Sequence, residues 1–284
     1  MTITPDPQWP TPPARAPRRS RRRAAVTLTA AAAAVLALLA VLATVVLAPP
    51  PVPAPAPAAP PAPAPVDGGD IDGGDWDLAA QTELATRPMP QLPDAAALPR
   101  PLSTDPPAPA LRLPDPAPGD DRVARGFPPT PEGALAQLVA LTEAGMSNAD
   151  PQAYASAYDA VAAPGAPPVA ATPLHRGLVA IRARAGLPAT GAVPDLTFDW
   201  TPAGGLIKGS TDRGRYVVAC VLGQLDAGAG GRIISTGAGD CQALRYERGQ
   251  WWISPGPAAA PAPLAWPGTA EAARVGYRAV RHAR

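Results

Sequence analysis

Residues 195–254, DLTFDWTPAGGLIKGSTDRGRYVVACVLGQLDAGAGGRIISTGAGDCQALRYERGQWWIS, decide the fold. Runs rich in β-branched and aromatic residues recur at Asp195 to Thr201, Arg215 to Asp226, Arg232 to Thr236, Cys241 to Tyr246 and Gln250 to Ser254, separated by glycine-rich turns. Such runs read as strands. The gaps are too short for crossover helices, so an antiparallel meander is expected, with Lys208 to Thr211 and Gly237 to Gly239 as breaks. Centring the hairpin on Gly230-Gly231 brings Cys220 opposite Cys241, the expected disulfide; two buried free thiols are the alternative. The bridge is expected to need a bulge among Gly237 to Gly239, because the stripes holding Cys220 (Tyr216, Val218, Leu222) and Cys241 (Ala243, Arg245, Glu247) look mismatched.

Three helices precede the meander, each announced by a capping residue and a proline at the first helical position: Thr130-Pro131, Asp150-Pro151 and Thr172-Pro173. Their apolar stripes are Leu135, Leu138 and Val139; Tyr154, Tyr158 and Val161; and Leu174, Leu178 and Ile181. Each stripe must pack on something, and the sheet is next in the chain. Helices followed by strands predict an α+β domain over residues 122–284, with the helices on one face of a curved sheet. Thr269 to Arg281, with Glu271 in its first turn, is expected to be a closing helix.

The N-terminal part is of another kind. Ala24 to Ala48 is an uncharged apolar run of about 25 residues, roughly 37 Å long as a helix and so long enough for a bilayer core. Arg15, Arg18, Arg19, Arg21, Arg22 and Arg23 precede it, while no cation follows before Arg87. The positive-inside bias therefore predicts a single-pass cell-membrane protein with residues 1–23 as a disordered basic cytoplasmic arm against anionic lipid and the rest outside. The prolines after Ala48 disfavour cleavage of the span as a signal. Residues 49–121 read as a stalk: Pro49 to Pro65 favours polyproline II, reaching roughly 50 Å. Val66 to Asp77 carries five aspartates but lacks the glutamate of a calcium loop, and reads as a solvated hinge. Trp76 to Ala85 is expected to form one or two helical turns, as a docking element or as a strap on the domain.

A net charge of +1 with one dense basic cluster, at the membrane, argues against a nucleic-acid partner. Catalysis has little support, since no G-x-S-x-G elbow occurs and the histidines are His175 and His282. No metal-ligand spacing is present, and no cofactor is expected. Leu187-Pro188-Ala189-Thr190-Gly191 matches the LPxTG sorting signal of wall-attached proteins, yet a domain follows where an apolar span and basic tail belong, so it reads as a helix-ending turn.

The order of elements from Thr130 to Ser254 resembles the nuclear transport factor 2-like cone fold, in which helices close one face of a curved antiparallel sheet. Enzymes of that fold place acid or base groups in the pocket, which the resemblance maps onto Tyr154, Tyr158, Asp199 and His175; core tyrosines and a strand-end aspartate are the plainer reading. The layout of arm, anchor, stalk and domain resembles membrane proteins of actinobacterial mobile elements and components of Gram-positive conjugation channels. It implies an exterior binding or scaffold module with an envelope protein partner, not an enzyme. A tethered small-molecule binder or enzyme is the alternative.

Overall fold

A computed structural model describes residues 76–282. The expected arm, the span at Ala24 to Ala48 and most of the stalk lie outside the described residues. Among the described residues no helix is long and apolar enough to cross a membrane.

The fold is mixed α+β around a curled six-stranded sheet. In chain order come α1 (Leu78–Thr86), β1 (Leu111–Leu113), α2 (Pro131–Gly145), α3 (Pro151–Val161), α4 (Pro173–Arg184), β2 (Leu196–Thr211), β3 (Tyr216–Ala229), β4 (Arg232–Glu247), β5 (Gln250–Ile253), α5 (Ala270–Arg274) and β6 (Arg278–His282). The sheet order is β1-β6-β2-β3-β4-β5. All pairs are antiparallel except β1 with β6, which are parallel.

Helices α2, α3 and α4 start where the capping signals place them. Thr130 Oγ1 accepts from the Gly133 amide, Asp150 Oδ1 from Gln152 and Thr172 Oγ1 from His175, with proline at the first helical position each time. Their inner sides and the sheet side bearing Val217, Ala219, Val221 and Leu244 form one apolar core. The opposite side of the sheet is covered too, by α1 and by residues 255–277, in a second core around Tyr216, Val218, Cys220 and Leu222. Both sides are therefore dry, which explains the near-continuous apolar run of β3.

Several expectations are corrected. The strands at Asp195 to Thr201 and Arg232 to Thr236 continue to Thr211 and Glu247, so Lys208 to Thr211 is strand and the turn falls at Asp212–Gly214. A register shift between Pro202 and Gly204 lets β2 carry a proline without breaking. Gly237 is required not by a turn but by packing, because a Cβ there would collide with the Ala265 carbonyl. Cys220 and Cys241 are direct partners in an unbroken β3–β4 register and form the disulfide, without a bulge: Val218 faces Ala243 and Tyr216 faces Arg245, so the two stripes share one side of the sheet. The closing helix from Thr269 to Arg281 is instead the short α5 and then β6. Gly276, at φ 102°, ends the helix and turns the chain into the gap between β1 and β2. In the segment before residue 122, whose packing the sequence leaves open, α1 buries Leu84 and Ala85 in the second core and β1 pairs with β6.

Candidate functional site

The four residues that the cone-fold resemblance singles out do not converge. Helical spacing turns Tyr154 and Tyr158 inward together, and both are buried. The Tyr158 hydroxyl donates to the Pro167 carbonyl at 2.9 Å, a structural contact. Asp199 is exposed on β2, where it accepts from Thr201 Oγ1 at 3.4 Å. His175 lies in the first turn of α4 and lines a cleft on the outer surface.

What Tyr154 does meet is Asp240, which the sequence reading passed over. Strand alternation sets Asp240 and Gln242 on the helix side of β4. Tyr154 Oη donates to Asp240 Oδ2 at 2.7 Å, and Gln242 Nε2 donates to the same oxygen at 2.9 Å. Asp240 is 1% exposed, and its Oδ1 is buried without a side-chain partner. Burial pushes the Asp240 carboxyl up to about 6, against the opposing pull of Gln242, Tyr154 and the Cys241 amide. Burial and the Asp240 charge together raise the Tyr154 phenol well above its ordinary value.

A group raised in this way favours the protonated folded state. Its stabilising effect is full below the unfolded carboxylate value near 4 and is lost as pH rises through about 6. Asp240→Asn, which removes the charge but leaves a buried amide donor, is expected to stabilise the protein by about 2 kcal/mol at pH 8 and by little at pH 4.5. Urea denaturation at the two pH values checks this. An equal effect at both would show that the Asp240 carboxyl binds its proton alike in the folded and unfolded protein, so that burial does not raise it.

The outer cleft has a volume of about 500 Å³ and runs between the first turn of α3, the outer face of α4 and the loop that follows it. Gln152, His175 and Thr190 supply its polar groups; Pro151, Val179 and Leu187 are apolar walls. The loop is the LPATG stretch, held from beneath by the buried Arg182. Arg182 Nη1 donates to the Pro188 carbonyl (2.7 Å), Nη2 to Gly191 (2.6 Å) and Asn148 (2.9 Å), and Nε to Ala149 (2.9 Å). Asp150 Oδ2 accepts the Gly191 amide at 2.9 Å, so the helix-capping aspartate also fixes the cleft rim. Among the described residues no group of three or more histidine, cysteine or acidic side chains could hold a metal.

No family model, curated protein or solved structure matches this chain. The site must be read from its own geometry.

A further cluster of polar contacts lies where the chain enters the described fold. The ring of Trp76 has the guanidinium groups of Arg215 and Arg245 each 4.3 Å from its centroid. Asp212 accepts from the Asp77 amide (2.8 Å), Gln81 Nε2 (2.7 Å) and Thr211 Oγ1 (2.7 Å). Gln81 Oε1 accepts from Arg245 Nη2 at 2.8 Å, and the Gln81 carbonyl from Tyr216 Oη at 3.1 Å. At the far end of α1, Lys208 Nζ donates to the carbonyls of Ala85 (3.1 Å) and Arg87. Desolvation, with the nearby Arg87 charge, lowers the Lys208 amine to about 8. Sequence reasoning identified the segment but not its partners, since Asp212 and Arg215 look like ordinary turn residues.

Proposed function

We propose that this chain is a single-pass envelope protein whose α+β domain binds or positions a protein partner outside the membrane, as part of a conjugation-like transfer assembly. Its basic arm would rest on anionic lipid and the proline-rich stretch would supply reach. The observation that carries the reading is the clamp on Trp76. Trp76, near the end of the aspartate-glycine stretch, is gripped by two arginines and its neighbour Asp77 by Asp212, so the domain takes hold of the segment by which it would be tethered. A module that acts by being held needs such an attachment, whereas an enzyme acting on a diffusible substrate gains nothing from it.

The rival is a tethered small-molecule binder, and one observation favours it: the cleft beside His175, with its rim fixed by Arg182 and Asp150. One pair of variants separates the two. Deletion of residues 49–65 is expected to reproduce the phenotype that loss of the gene produces, with the protein still folded and exported, while a His175→Ala, Gln152→Ala double variant behaves as the parent. The reverse pattern would move the function to the cleft. A reporter active only outside the cytoplasm, fused after Arg284, is expected to be active; silence there would sink the topology.

A further inference from the structure

Helix α1 is attached differently from everything around it. Its inner side buries only Gln81, Leu84 and Ala85, and Leu78 is 62% exposed. Leu84 enters because Gly209 leaves room beneath it; a Cβ on Gly209 would stand 2.9 Å from Leu84 Cδ1. Otherwise its attachment is polar and concentrated at its ends: the Trp76, Asp77 and Gln81 contacts at one, and at the other Lys208 Nζ together with the Ala260 amide, which donates to the Ala85 carbonyl at 2.9 Å. The β3 strand, by contrast, is an unbroken run of buried residues from Tyr216 to Gly223, paired on both edges.

The chain beyond α1 has its own fastenings. The Trp266 amide donates to the Ala96 carbonyl at 2.6 Å, Arg100 pairs with Glu271 at 2.8 Å, and the Ser103 amide donates to the Gly268 carbonyl at 2.9 Å. Detachment of α1 therefore has a stopping point. A nine-residue helix is too short to persist alone in water, so once off the sheet the segment becomes extended chain.

We propose that α1 is a releasable strap, which opens from the Trp76 end while the sheet stays intact and lengthens the connection to the domain. Residues 76–87, drawn out at about 3.3 Å per residue, add roughly 40 Å. That the released segment joins a membrane tether rests on the function proposed above; that the strap opens separately does not.

The test is amide hydrogen exchange on the full chain, followed by mass spectrometry of peptides from α1 and β3. Amides of Gln81 to Thr86 are expected to exchange at least about 100-fold faster than those of Val218 to Leu222, through an opening that leaves β3 protected. Trp76→Ala is expected to speed α1 a further tenfold or so and leave β3 unchanged. Equal protection of α1 and β3 in the parent protein overturns the proposal, and so does a Trp76→Ala effect that accelerates both alike. If that variant fails to fold, the comparison within the parent decides. Because the measurement is indifferent to topology, its failure and the failure of the membrane reading are distinguishable.

Discussion

Replacing Arg182 by alanine is expected to lower the unfolding free energy by about 3 to 5 kcal/mol, the largest effect of any single substitution considered for this domain. The side chain is buried, and its guanidinium is the donor for the carbonyls of Asn148, Ala149, Pro188 and Gly191. Truncation removes all of these bonds at once and leaves carbonyls facing a void. The loss should also be spatially specific: the loop at Leu187–Gly191 and the turn at Asn148–Ala149, where both residues have positive φ, are expected to loosen together. Lysine is expected to recover little, because a single ammonium cannot reach acceptors arranged around a planar fork. Urea denaturation of Arg182→Ala and Arg182→Lys checks both statements. A loss under 1 kcal/mol for the alanine variant would mean that the carbonyls find other donors.

Removing the Cys220–Cys241 bridge by a double change to alanine is expected to cost about 3 kcal/mol, the chain-entropy value for a closed loop spanning a separation of 21 residues. Both cysteines are buried in the core that contains Leu84, Ala262 and Tyr277. A reductant that leaves the domain folded should therefore react slowly with the bridge, and the cost should be read from the double variant. Thermal or urea unfolding of that variant, compared with the parent under oxidising conditions, measures it. An unchanged midpoint would show that the hairpin, already zipped along its whole length, needs no cross-link.

The parts of this fold legible in the sequence are those that local chemistry decides. A capping side chain followed by proline fixes a helix start within four residues, and α2, α3 and α4 begin where Thr130, Asp150 and Thr172 say. The parts that were not legible depend on partners far along the chain. Thr269 to Arg281 has the cap and acidic first turn of a helix, yet Val280 is taken up by Leu111 across the parallel β1–β6 pair, and the tertiary pairing overrides the local preference. Gly237 to Gly239 resembles a break because glycine is poor in strands, but Ala265 packs on Gly237 and Ala262 on Gly239, so small residues are what the strand needs there.

Asp240 was hidden for a related reason. Read as the residue after a break, it looks like a turn aspartate; only an uninterrupted β4 carries it inward to Tyr154. The four residues highlighted by the cone-fold resemblance, Tyr154, Tyr158, Asp199 and His175, scatter to the core, the surface and the cleft. Their side chains are set by helix and strand phase, which is readable. Whether a cavity opens among them depends on packing volume, which is not.

The place of β6 in the sheet bears on how the molecule comes to be made. The strand is the sixth in chain order but second in space, inserted between β1, whose Leu111 it pairs at Val280, and β2, whose Gly204 it pairs at Ala279. The β2–β3–β4 hairpins can zip as they emerge, since their contacts are close in sequence, while β1 has no strand to join until residues 278–282 arrive. Closing a loop of some 170 residues is entropically costly, and pairings of that span are slow to form. A growing chain would pass through a stage with its β2 edge bare, and loss of residues 278–282 would leave that edge open and β1 with no strand to pair with, although α1 keeps its own contacts with β2 and β3.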